Sequence, residues 1–88
     1  MAIEQYELIE LDVWGNARDG YEVNQAFHTN QFYDIDPDWS DERLVKELKK
    51  EELIKKRIHK NSIEIGGDEF SIYFDYKGKP EFELRRKG

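Results

Sequence analysis

Alternation near the carboxyl end constrains this chain most. Phe70, Ile72, Phe74 and Tyr76 alternate with Ser71, Tyr73 and Asp75, and Phe82 and Leu84 alternate with Glu81, Glu83 and Arg85. A period of two sends successive side chains to opposite faces of a pleated strand, so these runs read as strands with one apolar face. Upstream, Ile63 and Ile65 alternate with Glu64, Gly66-Gly67 supplies a turn, and Lys77-Gly78-Lys79 supplies a second. The expected product is a three-stranded meander. An apolar sheet face needs another element to cover it.

The amino-terminal half supplies both more sheet and the cover. From Ile3 to Trp14, Ile9, Leu11 and Val13 take one parity and Tyr6, Leu8 and Trp14 the other, as in a long strand with two partly buried faces. Gly15-Asn16 and Asp19-Gly20 bracket a turn, Tyr21–Thr29 reads as the returning strand, and Asn30–Trp39 reads as a connection with room for a short extended piece. Pro37 disfavours helix at Asp36, and Ser40 is a good N-cap followed by Asp41 and Glu42 at the positive end of a helix dipole. Leu44, Val45 and Leu48 form the helix's apolar stripe; Leu53 and Ile54 fit it only if the helix bends or restarts near Lys50. The reading is one α+β domain over residues 1–88. It has a mostly antiparallel sheet, the order β-β-α-β-β-β, and one main helix on one face.

Composition removes several function classes. The chain has 88 residues and no cysteine, so disulfides, thiolate metal sites and a thiol nucleophile are excluded. The opening MAIEQYELIELD lacks a basic region and an apolar core of a secretion signal, and no long apolar run follows; a cytoplasmic address and no membrane partner are expected. The net charge of −6 is unevenly spread. Residues 1–42 carry eleven acids and one base, whereas residues 43–60 carry eight bases and three acids. Either the two regions balance each other or one of them serves a partner.

Chemistry-bearing motifs are scarce. Asp34, Asp36 and Asp38 resemble the first half of a calcium loop, but Trp39 stands where the sharp turn wants glycine and Val45 where a bidentate glutamate belongs. His28 and His59 share no ligand spacing, Ser40, Ser62 and Ser71 sit in cap or strand contexts, and Gly66-Gly67 precedes no helix. No metal, no cofactor and no catalytic residue are therefore expected, and the chain reads as non-enzymatic. The candidate interaction residues are the turn-flanking Trp14, Asn16, Tyr21 and Trp39 and the basic Lys49, Lys50, Lys55, Lys56 and Arg57. Asn16 and Asn24 are placed to cap or bridge the hairpin through their amides.

The string Asp12-Val13-Trp14-Gly15-Asn16-Ala17-Arg18-Asp19-Gly20-Tyr21-Glu22-Val23-Asn24 resembles an opening found in small uncharacterised proteins of tailed bacteriophages and prophages. Ile63-Glu64-Ile65 and Gly78-Lys79-Pro80-Glu81-Phe82-Glu83-Leu84 continue the similarity. The resemblance implies a viral or prophage accessory gene expressed in a bacterial cell, and it brings no catalytic or cofactor residue with it. Two functions follow as expectations: binding of a host or viral protein, or binding of nucleic acid through the basic segment 43–60, against which an isoelectric point near 4.9 speaks.

Overall fold

The computed structural model describes residues 3–54, 62–68 and 70–87. It has strands β1 (Glu4–Asn16) and β2 (Gly20–Ile35), helix α1 (Asp41–Lys50), and strands β3 (Ile63–Gly67), β4 (Ser71–Tyr76) and β5 (Lys79–Arg86). The strands form one antiparallel sheet in the order β2-β1-β5-β4-β3. The chain is thus a small α+β fold: a five-stranded antiparallel sheet with one helix.

The period-two pattern explains which face the helix covers. Leu8 lies opposite Leu84, which lies opposite Ile72, and Phe74 lies opposite both Phe82 and Ile65. Cross-strand partners share a face, so this row presents one apolar surface. Leu44, Val45 and Leu48 of α1 pack onto it with Tyr6, Ile35, Ile54, Phe74 and Leu84, and Phe74 stacks on Phe82 at 4.6 Å between ring centroids.

The helix begins and ends where the sequence chemistry directs. The Ser40 hydroxyl accepts the Arg43 amide at 3.2 Å, which satisfies one of the free first-turn donors. Before it, the buried Asp36 carboxylate accepts the Asp38 amide at 2.9 Å, so the aspartates here shape the chain's approach to the helix. At the other end Leu53 donates its amide to the Leu48 carbonyl and Glu52 to that of Lys49, with Glu52 at φ +62°. This is a Schellman ending, and it folds Leu53 and Ile54 back to the core without prolonging the helix.

Three expectations need correction. First, β2 does not stop near Thr29 but continues to Ile35, so the expected connection is largely strand. Two irregularities allow this. Between the pairs Ile9–His28 and Glu7–Phe32 the second strand carries extra residues, with Asn30 at φ +61°. The Thr29 hydroxyl donates to the Leu8 carbonyl at 2.7 Å and the Glu7 carboxylate accepts the Asn30 amide at 3.1 Å, so the bulge keeps its polar groups satisfied. Farther out, Asn24 is the extra residue between the pairs Asp12–Gln25 and Val13–Val23, and its side-chain amide donates to Asp12 at 3.1 Å. Second, Gly66-Gly67 lie within β3, not in a turn. The reversal follows them: the Asp68 carboxylate accepts the amides of Phe70 and Ser71 at 2.8 and 3.0 Å. Gly67 is needed all the same, because at φ +115° a Cβ would collide with the Ser71 carbonyl oxygen. Third, the opening turn is tighter than expected, since β1 runs to Asn16 and β2 starts at Gly20. The Asn16 side-chain oxygen accepts the amides of Arg18 and Asp19, as its expected capping role requires.

Glu52 is an L-residue in a conformation that favours glycine. Glu52→Gly is expected to raise the unfolding free energy by about 0.5–1 kcal/mol, the relief of that strain less the added freedom of the unfolded chain. A urea melt whose midpoint stays at or below the parent's contradicts this account of the helix end.

Candidate interaction surface

Only one face of the sheet carries the helix. Strand β1 leaves β5 after Glu10, so residues Leu11–Asn16 pair with β2 alone and form a two-stranded ribbon beyond the sheet body. The molecule is correspondingly long, at 41 × 27 × 21 Å. Across the face opposite the helix, the register lines up His28, Ile9, Glu83, Tyr73 and Gly66 in one row. Beside it run Phe32, Glu7, Arg85 and Ser71.

This open face is concave. Residues of four strands, Leu11, Val23, Ala26, Tyr73, Asp75, Glu83 and Arg85 among them, line one cleft of about 400 Å³. Ile9, on the same face, is fully buried between its cross-strand neighbours Glu83 and His28 without any covering helix. At the cleft Tyr73 is 47% exposed and Val23 45%. Half-exposed large apolar groups gathered around a hollow are the surface composition of an interface, whereas scattered ones are ordinary.

Most charges on this face are matched locally. Glu83 is buried and takes the Arg85 guanidinium at 3.0 Å. Glu7 lies 2.9 Å from His28 Nδ1. That hydrogen bond holds the Glu7 carboxyl below the usual glutamate range; desolvation opposes it and the Asn30 amide reinforces it. Glu64 instead lies directly opposite another acid, Asp75, in the β3–β4 pairing. Burial pushes the Asp75 carboxyl above the usual aspartate range, and the facing Glu64 pushes it further. Like charges placed directly across a ladder destabilise it.

The residues singled out from sequence do not form one patch. Trp14 stands 61% exposed near the ribbon tip, with Asn16 capping the turn and Tyr21 paired across from Gly15. Trp39 instead packs against the core cluster, with the Arg43 guanidinium 5.0 Å above its ring. Lys49 and Lys50 lie in the last turn of α1, and both Arg43 and Lys50 approach Glu47, within the helix. Lys55, Lys56 and Arg57 fall outside the described residues. What sequence reasoning missed is the cleft itself. The parity of Ile9, Leu11 and Val13 hinted at a second buried face, but the opposition of Glu64 and Asp75 depends on a turn placed beyond Gly67.

A second hollow, of about 420 Å³, lies between the start of the helix and the β3–β4 turn and is lined by Asp36, Asp38, Asp41, Asp68 and Arg86. Three of these groups are already engaged: Asp36 and Asp68 hold backbone amides and Arg86 pairs with Glu4 at 2.8 Å. Among the described residues no group of three or more metal-ligating side chains is assembled, and no helix is long and apolar enough to cross a membrane. No protein family, curated protein or solved structure matches the chain.

Because the folded state raises the Asp75 pKa, it binds that proton more tightly than the unfolded chain does. The associated stabilisation is present below the ordinary aspartate value and is lost as pH rises through the raised one. Asp75→Asn is therefore expected to stabilise the protein at neutral pH by about 0.2–1 kcal/mol, toward the low end because solvent screens the pair. The gain should vanish below about pH 3.5. Thermal melts at the two pH values check this; an equal gain at both shows that the charge is not its source.

Proposed function

We propose that this chain is a non-enzymatic accessory protein of phage or prophage type that binds a partner protein on its open sheet face. One observation carries the reading: the face without a helix is a concave hollow whose rim holds Val23 and Tyr73 half exposed and whose floor includes the partly buried Leu11. Leaving such groups in water costs roughly 25 cal/mol for every Å² of apolar surface that a partner would cover. Tyr73, 47% exposed, is the aromatic group of this rim. Aromatic side chains of this kind are the usual anchors of protein interfaces. The resemblance of the Asp12–Asn24 string to phage and prophage proteins supports a partner met in the cytoplasm of a bacterial host. Affinity capture from bacterial lysate, with the parent and with a Val23→Asp, Tyr73→Asp variant, tests the proposal. A protein retained by the parent and lost by the folded variant is the expected result. Equal retention by both, or none by the parent, removes the open face from consideration.

Nucleic-acid binding keeps one supporting observation: Arg43, Lys46 and Lys50 are exposed on α1. Its test is fluorescence anisotropy with short single- and double-stranded oligonucleotides at two salt concentrations. Phosphate-driven binding weakens steeply with salt. Absent or salt-insensitive binding eliminates this second reading.

A further inference from the structure

The open face has a feature that narrows what its partner must look like. Glu64 and Asp75 oppose each other across β3 and β4, and Asp75 lines the hollow beside Tyr73. Among the described residues neither carboxylate has an ion-pair partner. Elsewhere on this face Glu7 is engaged by His28, Glu83 by Arg85, and the Lys87 ammonium lies 4.9 Å above the Phe32 ring. The face thus retains two neighbouring negative charges at the margin of an apolar hollow lined by Leu11, Val23 and Ala26. A neutral or acidic partner that covered the hollow would strip water from both carboxylates and offer nothing in return. A guanidinium or ammonium reaching between them would relieve their mutual repulsion and satisfy both.

We infer that the hollow receives a protein segment in which an arginine or lysine is flanked by large apolar side chains, the cation seated between Glu64 and Asp75 and the apolar groups against Leu11, Val23 and Tyr73. The inference rests on the open face being a docking surface and adds the identity of its ligand. Charge complementarity separates this occupant from nucleic acid, whose phosphates the two carboxylates repel. It also gives the repulsive pair a purpose: a cost borne by the free protein and recovered in the complex.

The test uses the whole chain, isotope-labelled, and three short capped peptides that share leucine and valine flanks and differ only in a central arginine, glutamine or glutamate. Amide chemical shifts are followed at low salt. The arginine peptide is expected to move the resonances of Leu11, Ala26, Glu64, Tyr73 and Asp75. The glutamine peptide should bind about tenfold more weakly and the glutamate peptide weaker still. A Glu64→Gln, Asp75→Asn double variant, which stays folded because it removes only a repulsion, should bind the arginine peptide about tenfold less tightly and lose the preference among the three. Peptides that bind this face with equal affinity overturn the inference and leave the docking reading standing. Shifts that spare this face, or an absence of binding by all three, overturn the inference too, while lysate capture judges the docking reading separately. Concentration-dependent broadening of the same resonances without peptide would make a second copy of the chain the occupant, and the inference would fall.

Discussion

The pairing of β1 with β5 over Tyr6–Glu10 holds the molecule together. Without it the chain would be two antiparallel units, a long hairpin and a three-stranded meander, each with an apolar face too small to bury by itself. The join makes β1 interior to the sheet along this stretch and gives it two kinds of burial at once. Tyr6 and Leu8 turn to the helix side and enter the core, while Ile9 turns the other way and is equally hidden. The covering helix can then serve both units, because Leu44, Val45 and Leu48 share one cluster with residues of β1, β2, β4 and β5. Sequence-distant strands thus depend on one short register, and contacts of this range are closed late and slowly in folding.

Elements whose chemistry is local are legible in the sequence. Ser40, Asp41 and Glu42 announce the helix start, and the alternation from Phe70 to Tyr76 announces β4, because caps and pleats act within a few residues. Asn16 and Asn24 announce hydrogen bonds that both of them make. Non-local or compensated features are not legible. Asn30 and its neighbours read as a connection because the polar side chains that sustain the bulge, Glu7 and Thr29, act across the ladder. Gly66-Gly67 read as a turn because glycine marks both reversals and close backbone approach, and here the second use applies. That misplacement slides the β3–β4 register, so the facing carboxylates could not be foreseen.

The uneven charge also takes a definite form. Three acids of the first hairpin hydrogen-bond to neighbours: Glu7 to His28, Asp12 to Asn24 and Asp19 to Asn16. Helix bases Arg43 and Lys50 turn to Glu47. One ion pair joins the acidic and basic halves at the end of β5, where Arg86 reaches Glu4.

The bulges of β2 have a consequence beyond local geometry. This strand is an edge of the sheet, and its sixteen residues contain no lysine, arginine or proline, the groups that ordinarily discourage other strands from adding on. Its sequence is rich in tyrosine, phenylalanine, asparagine and glutamine, the composition of segments that stack into fibrils. The interruptions at Asn24 and around Asn30 divide the edge into short runs that no straight neighbouring strand can follow from end to end. A kink kept in place by one carboxylate and one hydroxyl thereby opposes the addition of a further strand, the part that lysine or proline plays on other edges.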